Sequence, residues 1–128
     1  MKAVFIETLG FTDWLQEFLS DDVYADLQQE LMSDSEKGDV IRGGGGLRKV
    51  RVADPSRGEG KRGGARNIYF FVPEANWFYM LDIYGKDEKD DLTKEERKQL
   101  SVLAAQLRLE ASSAIERRTR QGSRRKRS

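Results

Sequence analysis

The 128-residue sequence contains no cysteine and no histidine. Without cysteine, the chain can form neither disulfides nor thiolate metal sites. Without histidine, it lacks the usual general base at neutral pH and the commonest metal ligand in proteins. Any acid–base chemistry in this protein must therefore come from lysine, arginine, tyrosine, aspartate or glutamate.

Long apolar segments are also missing. No run approaches the roughly 18 apolar residues that would indicate a membrane span. The first residues, MKAVFIETLGF, include Glu7 and lack the apolar region of a signal peptide. Hydrophobic residues make up 38% of the chain and charged residues 35%. We therefore expect one small, soluble, cytoplasmic domain that has no membrane contact.

The net charge of +1 conceals a strong asymmetry along the chain. The first 41 residues contain ten acids and two lysines, whereas residues 42–66 contain eight basic residues and two acids. From Glu116 onward there are seven basic residues and one acid. A chain that is almost neutral overall can thus present a cationic surface to phosphates, although scattered surface charge that only maintains solubility is the alternative.

Apolar periodicity predicts the element order β-α-α-β-β-β-α. Residues 2–7 and three later segments are typical of strands, and Thr93-x-x-Glu96 is a capping box that begins a C-terminal helix. Ser20 before two aspartates predicts a helix N-cap. We expect an α+β fold in which helices cover one face of a mainly antiparallel sheet.

Residues 58–63, GEGKRG, match the G-x-G-x-x-G pattern of nucleotide-binding loops. That pattern needs a helix after it, because the helix N-terminus binds the pyrophosphate. The segment that follows, ARNIYFFVP, is typical of a strand. The sequence thus disfavours a dinucleotide site and predicts a glycine-rich loop between two strands.

Basic residues surround this loop. Lys49 and Arg51 lie on the same face of the preceding strand, about 7 Å apart, and Arg66 opens the following strand. Lys61 and Arg62 lie on the loop itself. Glycine backbone and clustered cations suit a nucleic-acid backbone, although a solvated hairpin loop remains the alternative. The four acids at positions 87, 88, 90 and 91 lack a second acidic cluster, so we predict no metal site.

Two longer segments, GGGGLRKVRVADPSRGEGKRGGARNIYFF and LDIYGKDEKDDLTKEE, resemble the RelE/HigB toxins of type II toxin–antitoxin systems, especially their HigB-like, phage-derived branch. The resemblance covers roughly residues 1–110. It implies a RelE-like toxin domain over residues 1–112, followed by a basic tail over residues 113–128 that we expect to be disordered.

The resemblance implies a ribosome-dependent mRNA endoribonuclease that needs no metal or other cofactor. The RNA 2′-OH would attack the adjacent phosphate. A cognate helix-turn-helix antitoxin, similar to HigA, would neutralise the toxin, which would reach operator DNA only through that antitoxin. Lys49 or Arg51 would activate the 2′-OH and stabilise charge, Arg66 would stabilise the phosphate, and Lys86 would support the leaving group or the phosphate. The expected RNA-binding residues are Arg48, Lys61, Arg62, Tyr84 and Lys89, with Tyr84 as a base-stacking candidate.

The chain departs from the classical RelE pattern at two positions. Asp87 stands where those members have an arginine after the lysine, and no tyrosine follows Tyr84. The general acid and the stacking group thus stay open. Two other functions also stay open: a non-catalytic toxin that inhibits a protein such as DNA gyrase, and a nucleic-acid-binding module without toxicity.

Overall fold

The structure, a computed structural model, describes residues 2–53, 64–85, 88–89 and 91–127, with the backbone alone described for residues 119–127. The elements follow in the order β1 (Val4–Glu7), α1 (Leu9–Phe18), α2 (Asp21–Ser33), β2 (Asp39–Val40), β3 (Arg48–Val52), β4 (Ala65–Val72), β5 (Trp77–Gly85) and α3 (Lys94–Arg127). This order confirms the α+β prediction and adds the two-residue strand β2.

The five strands form one sheet in the order β1-β5-β4-β3-β2. Strand β1 pairs with β5 in parallel, and the three other pairings are antiparallel. A tight turn over residues 73–76, with Asn76 at φ 55°, connects β4 to β5. The prediction of a mainly antiparallel sheet is therefore confirmed.

Helices cover both faces of the sheet, so the expectation that they cover only one face is wrong. Helices α1 and α2 bury Phe11, Leu15 and Leu27 against one face. Helix α3 buries Ala104 and Ala111 against the other. The physical reason is that β4 is apolar on both sides, since six of its eight residues are apolar, and both sides must be shielded from water.

Local capping signals fold as the sequence predicts. The Ser20 hydroxyl accepts a hydrogen bond from the Val23 N–H, at 3.3 Å. The Thr93 N–H donates to Glu96 Oε1 at 2.9 Å, and the Glu96 N–H donates to the Thr93 hydroxyl at 3.1 Å. This reciprocal pair is the predicted capping box, which fixes where α3 begins.

Helix α3 extends to Arg127, whereas the sequence analysis predicts a disordered tail from residue 113. No proline interrupts residues 94–127, and strong helix formers such as Arg, Glu and Ala dominate there. Ala111 is fully buried, Ile115 packs against the same cluster, and the Arg118 guanidinium lies 6.0 Å from the Trp77 ring centroid. Packing on the sheet thus continues beyond residue 112.

Candidate nucleic-acid interface

One row of side chains crosses the three central strands. Arg51 of β3 pairs in register with Arg66 of β4, and Arg66 pairs with Tyr84 of β5. Residues that face each other in paired strands project to the same side of the sheet. We call this side the α3 face, because Ile68 and Tyr84, which project there, belong to the cluster that α3 covers.

A second row lies beside the first. Lys49 pairs with Ile68, and Ile68 pairs with Asp82. The register shifts between Ile68 and Tyr69, so that Leu81 is an extra residue in β5. This β-bulge turns both Leu81 and Asp82 toward the α3 face, which places a carboxylate beside the basic residues.

Lys49 forms an ion pair with Asp91 across 42 residues of sequence. The ammonium lies 2.8 Å from Asp91 Oδ1. The Lys49 side chain is 13% exposed, whereas that of Asp91 is 75% exposed. Lys49 is therefore paired, near the protein surface, with an exposed acid that can move into solvent.

The two arginines of the first row differ in exposure. Arg51 is exposed and also borders a cavity of about 170 Å³ beside α2. Arg66 is only 3% exposed, and its Nη1 donates to the Gly64 carbonyl oxygen at 2.7 Å. Arg51 can thus meet a phosphate directly, while Arg66 supplies positive charge from beneath it.

Tyr84 lies in the floor of this face. Its ring is 1% exposed, and the Lys89 ammonium lies 4.8 Å from the ring centroid. Burial, followed by the charges of Asp91 and Asp82, raises the pKa of Tyr84 to about 12. Its hydroxyl is buried and has no hydrogen-bond partner among the described residues. The structure thus places the ring beneath Lys89, whereas the sequence analysis expects a base-stacking surface.

Acids hold Lys89 in place. Lys89 pairs with Glu96. The hydrogen bond from Lys89 is the largest cause that lowers the pKa of Glu96, and the capping hydrogen bond from the Thr93 N–H is the second. Burial raises the pKa of Asp82, and the charge of Lys89 opposes that rise. The start of α3 is thereby connected to the site through its own capping residue.

The predicted residues divide into three groups. Lys49, Arg51, Arg66, Tyr84 and Lys89 come together on the α3 face. Arg48 projects to the opposite face, where it donates to the carbonyl oxygens of Glu36 at 3.2 Å and Gly38 at 2.7 Å. Lys61, Arg62 and Lys86 lie outside the described residues.

Sequence reasoning missed the acidic side of this site. Asp82 joins it through a bulge that leaves no clear sequence signature, and the sequence analysis treats Asp91 only as a possible metal ligand. The sequence analysis identifies Glu96 only as a capping residue, and no spacing rule predicts its pairing with Lys89, which precedes the helix. Among the described residues, no cluster of three or more acids is placed to hold a metal ion. No helix in the described part of the chain is long and apolar enough to cross a membrane.

Comparison with known proteins identifies the family. Residues 8–124 match the family described as the RelE toxin of the RelE/RelB toxin–antitoxin system. The chain belongs to the RelE toxin family. A mutant of the E. coli toxin RelE in the free state is similar in fold to this RelE-family chain, with a TM-score of 0.50. The two are 18% identical, over 78% of this chain and 99% of that one.

The intact E. coli RelBE toxin–antitoxin complex gives a TM-score of 0.42 at 13% identity, over 64% of this chain and 94% of that chain. The family match confirms the RelE/HigB assignment made from sequence motifs. It also extends beyond residue 110, where the motif resemblance ends, and includes most of α3.

Proposed function

We propose that this RelE-family toxin is a ribosome-dependent endoribonuclease that cleaves mRNA without a metal ion. The observation that carries the proposal is the convergence of Lys49, Arg51 and Arg66 on the α3 face. Three cations there suit a phosphodiester that gains negative charge as it reacts. The family description, which names a toxin–antitoxin system, supports the biological setting.

The proposed reaction is an internal transfer. The RNA 2′-oxygen attacks the adjacent phosphorus and loses its proton, and the bond from phosphorus to the 5′-oxygen breaks. The products are a 2′,3′-cyclic phosphate and a 5′-hydroxyl, which takes up a proton. Lys49 is a better proton acceptor than either arginine, because a guanidinium stays charged at any physiological pH. Lys86, which lies outside the described residues, stays the predicted partner of the leaving group or the phosphate.

The ion pair between Lys49 and Asp91 sets the first step of substrate binding. An approaching phosphate must displace Asp91 from Lys49, and the exposed aspartate can move without loss of buried contacts. Arg51 contacts the phosphate directly, and Arg66 adds charge from below. Because Coulomb interactions act over several ångströms at low dielectric, Arg66 contributes without touching the substrate.

The partners that we propose follow from the same family. A cognate antitoxin, of the helix-turn-helix type similar to HigA, would neutralise the toxin and carry it to operator DNA. The ribosome would present the mRNA, and the toxin would act in the cytoplasm. The family description, which pairs RelE with RelB, supports the antitoxin.

Expression of the toxin without antitoxin tests the proposal. We expect growth arrest and cleavage of translated mRNA, and both should weaken in Lys49→Ala and Arg51→Ala. Loss of a positioned catalytic group lowers the rate by about 10²- to 10³-fold. Lys2→Ala is the matched control, because Lys2 is exposed and precedes β1 at the far edge of the sheet. Thermal unfolding should confirm that all variants fold.

Equal toxicity of wild type and both site variants, with intact mRNA, would show that the proposal is wrong. Signs of DNA damage with intact mRNA would instead favour a non-catalytic toxin that inhibits a protein target.

A further inference from the structure

A cationic groove lies between the tetraglycine turn and the first two turns of α3. Its volume is about 500 Å³, and its basic lining residues are Arg42, Lys94, Arg97 and Lys98. No acid lines it. The helix residues follow the spacing i, i+3, i+4, so they lie on one stripe of α3. Glu95 and Glu96 lie off this stripe, where Glu96 pairs with Lys89.

The turn and the helix are joined to each other. Arg97 Nη1 donates to the Arg42 carbonyl oxygen at 3.2 Å. Gly43, which also lines the groove, has φ 74°, and a Cβ there would meet nothing within 4 Å. The turn thus keeps a positive φ that favours glycine. It leaves its side of the groove open to a ligand.

The groove is continuous with the proposed catalytic face. A neighbouring cavity of about 380 Å³ is lined by Lys49, Asp91 and Leu92, and it shares Arg42 and Arg97 with the cationic groove. Asp91 pairs with Lys49, and Asp39 stands opposite Lys49 in the sheet, so the three cations of that cavity (Arg42, Lys49 and Arg97) exceed its two acids by one charge. Positive charge therefore runs from Lys49 through Arg97 to Lys94 and Lys98.

We propose that the cationic groove binds phosphates of the substrate RNA strand that flank the cleaved position. The inference rests on the proposed function, since it takes the α3 face as the place of cleavage. Four cations in one concave surface, with no acid among its described lining residues, match a chain of phosphates and do not suit a neutral or cationic ligand. Binding there is electrostatic, so it carries no sequence preference and weakens with salt.

The test measures binding of a single-stranded RNA whose 2′-oxygens are methylated, which blocks cleavage. The double variant Lys94→Ala/Lys98→Ala removes two cations from exposed helix positions where alanine is well tolerated. We expect the slope of log K against log salt to fall by about 1.4, since each neutralised phosphate of a single strand contributes about 0.7. If the two affinities converge at 1 M salt, this slope means about 25-fold weaker binding at about 0.1 M.

The size of the RNA and a charge-matched variant localise the effect. An RNA of about ten nucleotides should show the loss, and a dinucleotide, which fills only the catalytic face, should not. Lys2→Glu changes the net charge by the same amount at the opposite sheet edge and should leave the slope unchanged.

Three results would overturn the inference. They are an unchanged slope in the double variant, an equal loss in Lys2→Glu, and intact oligonucleotide binding together with lost ribosome binding. The last would assign the groove to ribosomal RNA.

Because the probe cannot be cleaved, this test is independent of catalysis. A toxin that cuts mRNA but shows no groove effect keeps the proposed function and loses the inference. A toxin that shows the effect but leaves mRNA intact keeps the groove and loses the proposed function.

Discussion

Asp91 holds a basic residue that the proposed chemistry needs. The carboxylate is 75% exposed, so solvent screens the ion pair, and such exposed pairs contribute about 0–1 kcal/mol. Under the proposed function, the ion pair matters more for RNA binding than for stability, because the RNA phosphate and Asp91 would compete for the Lys49 ammonium. In the free protein, Asp91 thus occupies the position on Lys49 that the proposed substrate phosphate would take.

The variant Asp91→Asn should therefore bind RNA more tightly. We expect a gain of at most about five-fold in apparent affinity at low salt, which corresponds to about 1 kcal/mol. The gain should shrink as salt is added. Binding of the methylated RNA over a salt series measures it. Asp13→Asn, which removes an exposed carboxylate from α1, is the control. Weaker binding by Asp91→Asn would contradict the competition.

Gly64 is a steric requirement of the strand that carries Arg66. A Cβ there would lie 2.1 Å from the Val52 carbonyl oxygen, which no real side chain tolerates. Gly64→Ala must push β3 and β4 apart and should destabilise the protein by about 1–3 kcal/mol. Gly10 in α1 has nothing within 4 Å of a Cβ, so Gly10→Ala should stabilise by up to about 1 kcal/mol.

Urea unfolding of the two glycine variants measures this contrast. The midpoints should move in opposite directions at unchanged denaturant slope. A Gly64→Ala midpoint equal to that of the wild type would mean that β3 and β4 separate without cost at Gly64.

At the scale of elements, α3 connects the site to the hydrophobic cluster that this helix covers on the α3 face. Its first turn supplies Glu96 to Lys89 and the basic stripe to the cationic groove. Its later turns bury Ala104 and Ala111 against the sheet. Between Ala104 and Ala111, the Leu107 carbonyl oxygen accepts a hydrogen bond from the Tyr79 hydroxyl at 3.4 Å. Loss of packing late in α3 should therefore loosen the helix that positions the site.

Two shortened chains test how far this packing extends. A chain that ends at Ser112 lacks Ile115 and Arg118, whereas a chain that ends at Arg118 keeps both. Loss of the half-buried Ile115 and of the contact with Trp77 should lower the free energy of unfolding by about 1–3 kcal/mol. Urea midpoints compare the two chains directly. Identical midpoints would place the end of the folded domain at residue 112, as the sequence analysis predicts.

In the folded molecule, the pKa of each of the four tyrosines is raised above its ordinary value of 10. Burial raises the pKa of Tyr69 and Tyr79, and it raises that of Tyr84 to about 12. Burial, followed by the hydrogen bond that the Tyr24 hydroxyl donates to Glu7, also raises the pKa of Tyr24. The unfolded chain releases these protons near pH 10, whereas the folded protein resists their release.

Stability should therefore be complete below pH 10 and fall as pH rises from 10 through the folded pKa values. We expect the ultraviolet absorbance of tyrosinate to stay low until the circular dichroism of the fold is lost, and then to rise with unfolding. Urea-unfolded protein, which should titrate near pH 10, is the reference. An absorbance rise centred on pH 10 with intact dichroism would contradict the burial of these side chains.

Short-range features followed from the sequence because their physics is local. Strand alternation alone put Lys49 and Arg51 on one face and Arg48 on the other. The capping box needed only the three-residue spacing of Thr93 and Glu96. The motif resemblance identified the RelE family, because its residues are ordered along the chain.

Only the tertiary structure decided the rest, because it depends on contacts between residues far apart in sequence. The strand order β5-β4-β3 placed Arg66 between Arg51 and Tyr84. Packing against the rest of the chain buried the Tyr84 side chain. The bulge in β5 turned Asp82 into the site, and the path into α3 brought Asp91 to Lys49. Periodicity reports which side of a strand a residue occupies. The neighbouring strands and helices decide what that side meets.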